Sequence, residues 1–325
     1  MNNLKITLIV LYGNPWPGWF DYFLRSCETN KTINWLIFSE NSKPEVIPEN
    51  VRFINISAKD LSLIIKEKLG ITPIITHPFK FADFKPAYGL IFEDYLKDSV
   101  FWGYCDIDLI FGNISKFITF DIIENYDIIS PSVDFFPGHF LLLKNKDSLN
   151  NLFKLVPKWK EILSQPECFC FDEKISYPAI NPDSNSINEA LIKNVMKHLR
   201  EYKFIRNPLF HYLNQQFGKI IKKRDIRIKE IKDFNSAINS LRYQGSIRTY
   251  NQQLFMDDII KLRDGQKSFR IDCKQGRLFD EQKEILYFHF PLSKYSSSFR
   301  IDEIDKSHFS IINEDIGLSF RPCKF

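Results

Sequence analysis

Phe101-Trp102-Gly103-Tyr104-Cys105-Asp106-Ile107-Asp108-Leu109-Ile110-Phe111-Gly112 sets two carboxylates into a run that is otherwise almost wholly apolar. The stretch from Val100 to Tyr104 predicts a strand, so Asp106 and Asp108 fall just past its C-terminal end. Burying a carboxylate is costly unless a cation or hydrogen bonds compensate it, and α/β sheets hold their ligands at the carboxyl ends of strands. Carboxylate oxygens are also the hard ligands that Mg²⁺ or Mn²⁺ prefers when bridging to phosphates. A solvated acidic turn can show the same Asp-x-Asp spacing by chance, so the surrounding sequence has to decide between the two.

Upstream, Lys5 to Leu11 is a β-rich apolar run of the kind that sits in a buried parallel sheet. Tyr12 to Gly18, rich in Pro and Gly, breaks it, and Trp19 to Thr29 carries Trp19, Phe20, Phe23 and Leu24 at helical spacing. Strands are predicted at Asn34 to Phe38 and Val51 to Ile56, followed by a helix over Leu61 to Leu69 that Gly70 caps. Pro86 suits a first helical turn, which predicts a helix from Pro86 to about Lys97 with Lys80 to Lys85 at its entrance. Downstream, Asp127 to Ser130 and His139 to Leu143 read as strands, and Ser148 to Phe153 as a helix. A loop is expected at Ser176 to Ser186, helices at Ile187 to Lys203 and Gln252 to Leu262, and a strand at Ile285 to Phe290. Strands alternating with helices predict an α/β fold with a mainly parallel central sheet flanked by helices.

Composition narrows the class. With 44% hydrophobic and 26% charged residues, the 325-residue chain has neither the charge excess of disorder nor a long apolar run, so it reads as an ordinary soluble protein. The run Ile6 to Leu11 is too short for a signal-peptide core, and no stretch approaches about 18 apolar residues. Six scattered cysteines fit no zinc motif. Together these features predict reduced thiols and a cytoplasmic location. The net charge of +4 is unevenly placed, with fourteen basic against four acidic residues between Lys193 and Arg248. Such an excess fits a solvated surface, the inner face of an anionic membrane, or an anionic acceptor. Nucleic acid is not expected, because no binding motif accompanies the charge.

The run Phe79-Lys80-Phe81-Ala82-Asp83-Phe84-Lys85-Pro86-Ala87-Tyr88-Gly89, followed by the Asp-x-Asp segment, resembles an uncharacterised bacterial group of glycosyltransferase-like polysaccharide-biosynthesis proteins. More remotely it is similar to the retaining GT-A galactosyl- and glucosyltransferases, including glycogenin-like enzymes. Tyr12 to Glu40, Gly138-His139-Phe140-Leu141-Leu142 and Tyr287-Phe288-His289-Phe290 extend the likeness over about Ile6 to Lys294. The resemblance implies a GT-A type nucleotide-diphospho-sugar transferase fold. It also implies a metal-dependent hexosyltransferase that uses Mn²⁺ or Mg²⁺, a nucleotide-sugar donor such as a UDP-hexose, and a glycan or lipid-linked acceptor. Residue by residue, it implies Asp106, Asp108 and His289 as metal ligands, with Asp106 also facing the donor ribose. Asp83 and Lys85 would lie beside the nucleotide and the donor sugar, and Lys294 would meet the diphosphate. The wider group has a Gly-rich turn after the histidine where this chain has Phe290-Pro291-Leu292-Ser293, a departure that bears on Lys294 more than on His289.

Three further candidates follow. His139 opens an apolar strand near the expected sugar pocket, and Asp172 or Glu173 could deprotonate an acceptor hydroxyl in an inverting reaction or orient substrate in a retaining one. Tyr12, after the first strand, is placed to contact the base. The expected organisation is a nucleotide-sugar-binding core over 1–175, a helical basic region over 176–275 proximal to acceptor or membrane, and a segment over 276–325 that returns His289 to the core. Two rival readings are a catalytically silent nucleotide-sugar-binding module and a metal-dependent nucleotidyl or phosphoryl transferase. The second lacks a phosphate-binding Gly-x-x-x-x-Gly-Lys-Ser/Thr loop, and Tyr12 to Gly18 contains no Lys or Arg.

Overall fold

A computed structural model describes residues 5–132, 136–174, 232–250, 255–258, 261, 266 and 268–314. Its centre is a seven-stranded sheet in the order β3-β2-β1-β4-β7-β6-β8. The strands are β1 (Ile6–Leu11), β2 (Ile33–Ser39), β3 (Val51–Asn55), β4 (Phe101–Cys105), β6 (Ile128–Ser130), β7 (Phe140–Lys144) and β8 (Ile247–Thr249). Strands β3, β2, β1 and β4 run parallel, β7 is antiparallel to both β4 and β6, and β8 is parallel to β6. This is the α/β class expected, with a mainly parallel central sheet flanked by helices.

Both faces of the sheet are covered, which is why its inner strands read as unbroken apolar runs. In β1, Ile6, Leu8 and Val10 join one core with Phe23 and Trp35, while Ile9 joins the other with Ile65, Tyr88 and Trp102. The helix Phe20–Glu28 covers the first face. On the second face, the helix Ala58–Leu69 is framed by a capping box between Ser57 and Asp60 and by Gly70 at φ +67, the stop signal read from the sequence. A Cβ on Gly103 would lie 2.1 Å from the Leu141 carbonyl oxygen. Only glycine therefore lets β7 pair so closely with β4, the strand that delivers the Asp-x-Asp segment.

A three-stranded sheet in the order β5-β13-β9 lies against this core. It comprises β5 (Leu109–Phe111), β9 (Phe255–Asp257) and β13 (Tyr287–His289). A five-stranded antiparallel sheet follows, β12-β11-β10-β15-β14. It is formed by β10 (Phe269–Lys274), β11 (Arg277–Asp280), β12 (Lys283–Ile285), β14 (Arg300–Asp305) and β15 (His308–Asn313). Its inner residues Ile271, Leu278, Phe309 and Ile311 complete the first core.

Several local expectations are corrected. The helix expected from Pro86 to Lys97 is a chain of short pieces, Lys85–Ala87, Tyr88–Ile91 and Glu93–Tyr95. The first two are buried by tertiary contacts rather than built on a long ladder of their own, as in the packing of Gly89 against Trp102, whereas Glu93 and Asp94 are exposed. Residues 255–257 form a strand inside the helix expected over Gln252 to Leu262, because pairing with β13 fixes an extended backbone, while Asp258 and Lys261 are helical as expected. The strand expected over Ile285 to Phe290 divides into the end of β12 and β13, which belong to different sheets. Within 176–275, the described residues form the helix Lys232–Tyr243 and the strands β8 to β10, each built into a sheet or core of the body. The loop over 176–186, the helix over 187–203 and the basic run up to 231 lie outside the described residues. No helix among the described residues is long and apolar enough to cross a membrane.

Candidate active site

Strand pairing alone brings the acidic pair to the histidine. Strand β13 runs antiparallel to β5 with His289 opposite Leu109, and the Phe290 N–H donates to the Asp108 carbonyl at 3.1 Å. Asp108 and His289 therefore meet at one edge of the small sheet, while Asp106 ends β4 at the C-terminal edge of the large one. One donor atom each from Asp106, Asp108 and His289 lies within 4.8 Å of the others. Two carboxylate oxygens and an imidazole nitrogen so spaced suit a hard or borderline divalent cation, and the donor set fits Mn²⁺ or Mg²⁺.

Two lysines close on this cluster from opposite sides. Lys294 Nζ lies 2.5 Å from Asp108 Oδ2, and His289 Nε2 lies 3.8 Å from Oδ1 of the same carboxylate. Burial alone would push the Asp108 carboxyl up, but Lys294 and His289 overcome it and hold the group well below the usual carboxylate range. Lys85 Nζ donates to Asp106 Oδ1 at 2.7 Å and to the Gly138 carbonyl at 2.7 Å. It also lies 3.5 Å from Asp172 Oδ2. Burial opposes its charge, yet Asp106 and Asp172 push the Lys85 pKa well above the ordinary lysine value, so it stays an ammonium. The Asp106 side chain, 39% exposed, is the open member of the group and faces solvent.

Asp172 and Glu173 arrive through a tight turn at Cys170, whose φ is +52. Burial, reinforced by Glu173, pushes the Asp172 carboxyl well above the carboxylate range against the pull of Lys85. Glu173 accepts from the Gly138 N–H at 3.2 Å. A Cβ on Gly138 would stand 2.2 Å from Asp172 Oδ2, so this contact requires glycine. His139 is fixed by its own backbone, whose carbonyl accepts from the Asp106 N–H at 3.0 Å. Its ring stacks on His289 with centroids 4.1 Å apart, and its Nε2 lies 2.9 Å from the Tyr287 hydroxyl. Burial, then the neighbouring His289, pulls the His139 pKa well below the usual histidine value, so it is a neutral ring. Half-buried Tyr12 stacks on Trp16. Burial pushes its hydroxyl up to about 12, and Lys294 and Asp108 lie close enough to be felt there.

The structure thus gathers Tyr12, Lys85, Asp106, Asp108, His139, Asp172, His289 and Lys294 around one cleft edge, with Glu173 beside Gly138. Asp83 is placed differently. It is fully buried, and its carboxylate accepts from Lys80 Nζ at 2.9 Å and from the backbone N–H groups of Phe169 and Phe171, each at 2.9 Å. Lys80 in turn donates to the carbonyls of Ile162 and Glu167. Asp83 therefore anchors the segment that presents Asp172 and does not itself face the cleft. Three residues that sequence reasoning did not single out also serve the site: Tyr287 on His139, Lys80 on Asp83, and Asp258, which binds the turn before Lys294. Tyr287 and Lys80 sit inside stretches already quoted, but nothing in their spacing marks a role, and Asp258 has no neighbouring motif at all.

The site is therefore two carboxylates and one histidine spaced as cation ligands are, flanked by two lysines at the carboxyl edge of a mainly parallel sheet in a protein of the α/β class. The chain belongs to a family of unknown function, DUF6625, whose model matches residues 8–318. No curated protein matches it by sequence. Among solved structures, it is similar to the galactosyltransferase LgtC in complex with donor and acceptor sugar analogues, at a TM-score of 0.37 and 10% identity over 90% of each chain. An active-site mutant of LgtC gives 0.38 and 10% over 88% of this chain and 87% of that one. The glycosyltransferase GlyE of Streptococcus pneumoniae gives 0.26 and 11% over 78% and 67%.

Proposed function

We propose that the protein is a metal-dependent glycosyltransferase of the GT-A type, moving a hexose from a nucleoside-diphosphate donor, a UDP-hexose, onto a hydroxyl of a glycan or lipid-linked acceptor. The observation that carries this reading is the convergence of Asp106, Asp108 and His289 within 4.8 Å of one another, bracketed by Lys294 and Lys85. Three ligands of this kind leave coordination positions for phosphate oxygens, and two ammonium groups beside them match a diphosphate.

A bound Mn²⁺ or Mg²⁺ supplies Lewis-acid charge that stabilises the departing diphosphate. Asp106, Asp108 and His289 would hold it, and Lys294, on Asp108, would add a second positive charge beside it. As the bond between the anomeric carbon and the β-phosphate oxygen breaks, the electron pair stays on that oxygen, and Lys294 is placed to meet the charge that develops there. Lys85, tied to Asp106 and Gly138, sets the other wall and orients the sugar. Asp172, buried and held above the usual carboxylate range, has the environment of a group that takes a proton from an acceptor hydroxyl in an inverting reaction. In a retaining reaction the same carboxylate orients substrate. Neutral His139 lines the metal side and keeps His289 in place through the ring stack.

A panel of nucleotide sugars with Mn²⁺ tests the reading by hydrolysis, transfer and thermal stabilisation, since a ligand that binds only the folded state raises its apparent stability. Metal-dependent release of a nucleoside diphosphate from one donor is the expected result. Binding without turnover would make the chain a silent nucleotide-sugar module, and no binding of any donor would overturn the reading.

A further inference from the structure

The small sheet gathers one more acidic residue at the edge where Asp108 and His289 meet. Strand β9 runs parallel to β13 with Asp257 opposite His289, so Asp258 comes level with Phe290, the first residue of the turn leading to Lys294. Asp258 is fully buried. Its Oδ2 accepts from the backbone N–H of Leu292 at 3.0 Å and of Ser293 at 2.5 Å.

Buried backbone N–H groups must find acceptors, and the donors of this turn can be followed one by one. Phe290 donates to the Asp108 carbonyl, Lys294 to the Phe290 carbonyl, Tyr295 to Leu292 and Ser296 to Ser293. Pro291 has no N–H. Leu292 and Ser293 send theirs to Asp258. A carboxylate bonding two backbone amides is a charge-assisted contact, stronger than a neutral one. The turn is therefore held between Asp108, whose carbonyl fixes its start, and Asp258, whose carboxylate fixes its middle. Lys294 leaves the end of that turn with its Nζ on Asp108 Oδ2. A lysine side chain has four rotatable bonds and loses rotamer entropy when held. A fixed starting point reduces the search that must be offset.

We propose that Asp258 is a positioning residue: by binding the N–H groups of Leu292 and Ser293 it sets Lys294 against Asp108 and so against the diphosphate of the donor. Its effect on donor binding rests on the glycosyltransferase reading, whereas its effect on Lys294 does not. Asp258 acts through Lys294 and need not touch substrate itself.

The test has two arms on the full chain. In the first, metal-free protein is labelled briefly with acetic anhydride and lysine modification is read by mass spectrometry. Lys294 should react at least ten-fold faster in Asp258→Ala, while Lys80, buried on Asp83 and the carbonyls of Ile162 and Glu167, stays protected and reports an intact fold. Asp258→Asn keeps an acceptor oxygen for both amides and should leave Lys294 near its parental rate. If Asp258→Ala exposes Lys80 as well, Asp258→Ser is used in its place. An unchanged Lys294 rate in Asp258→Ala, or in Asp258→Ser where that replaces it, with Lys80 protected overturns the proposal, as does equal deprotection of Lys294 in Asp258→Asn.

The second arm measures UDP affinity with Mn²⁺ in a double-mutant cycle. Asp258→Ala should weaken binding about ten-fold in the parent and hardly at all in a Lys294→Met background. Equal losses in both backgrounds overturn the coupling. Absence of UDP binding in the parent defeats the functional reading instead, and the labelling arm still decides the role of Asp258.

Discussion

Gly138→Ala puts one methyl group where the structure has no room for it. The new Cβ would lie 2.2 Å from Asp172 Oδ2, 3.0 Å from its Cγ and 3.2 Å from Glu173 Cγ. Ordinary nonbonded contact requires the carboxylate to retreat by roughly 1 Å, which takes Asp172 Oδ2 away from Lys85 Nζ, now 3.5 Å distant. Overpacking of this kind costs about 1–3 kcal/mol. A displacement of about 1 Å at a reacting group costs on the order of 100-fold in rate. The expected outcome is a folded protein with a lower unfolding midpoint and about 100-fold slower transfer. The decisive assay is a stability cycle with Asp172→Ala, measured by denaturant unfolding of all four proteins. Once the carboxylate is gone, the tightest remaining contact is a flexible Glu173 side chain, so Gly138→Ala should cost at least about 1 kcal/mol less in that background. An equal cost in both backgrounds would refute the reasoning, because the clash would then not involve Asp172.

Asp108→Ala should abolish Mn²⁺-dependent donor turnover and leave the protein folded, and unchanged sugar transfer by the folded variant would defeat the metal assignment. The same change strands the Lys294 ammonium without its partner and should cost about 3 kcal/mol in metal-free denaturant unfolding, most of it recovered by adding Lys294→Met. His139 has a folded pKa below its unfolded value of about 6.5, so the native state resists the proton that the unfolded chain takes up. Its stabilising effect is complete above that pH and falls away on acidification, and a shallower acid slope in His139→Gln is the expected signature in unfolding measured from pH 7.5 to 5. If the basic run from Lys193 to Arg248 docks on anionic lipid, vesicle co-sedimentation should weaken as salt rises through the physiological range; salt-insensitive binding would reject the electrostatic account.

The central sheet was legible because its strands are buried on both faces and carry their signal locally. β1, β2 and β4 are short apolar runs bounded by polar or turn residues, and Gly70 ends a helix between them where expected, although the helix begins at Ala58 rather than Leu61. What failed to show were elements whose identity is set by a distant partner. Residues 255–257 are a strand only because β13 lies beside them. The pieces between Lys85 and Tyr95 look like one amphipathic helix in sequence, since periodicity counts faces and not the packing that breaks them. The same limit hid the antiparallel sheet of β10 to β12, β14 and β15, where β14 is exposed along most of its length and has little apolar alternation to read.

Within the site the boundary falls between residues that carry charge toward the cleft and residues that hold them there. Asp106 and Asp108 could be named from sequence as carboxylates at the end of an apolar strand, whereas His289 came only from the family resemblance. Asp83 is implied as a contact of nucleotide or sugar only by the family resemblance, and its carboxylate accepts from Lys80 and the backbone of Phe169 and Phe171. Asp258 does the corresponding work for Leu292 and Ser293 from 34 positions away. Sequence spacing cannot separate a carboxylate free to hold a cation from one that binds two backbone amides, since both are aspartates set among apolar residues. The difference lies in which way the oxygens face: Asp106 is 39% exposed, whereas Asp83 is fully buried. Removing a cleft-facing carboxylate should therefore change metal binding first and stability second, and removing either anchoring one should reverse that order.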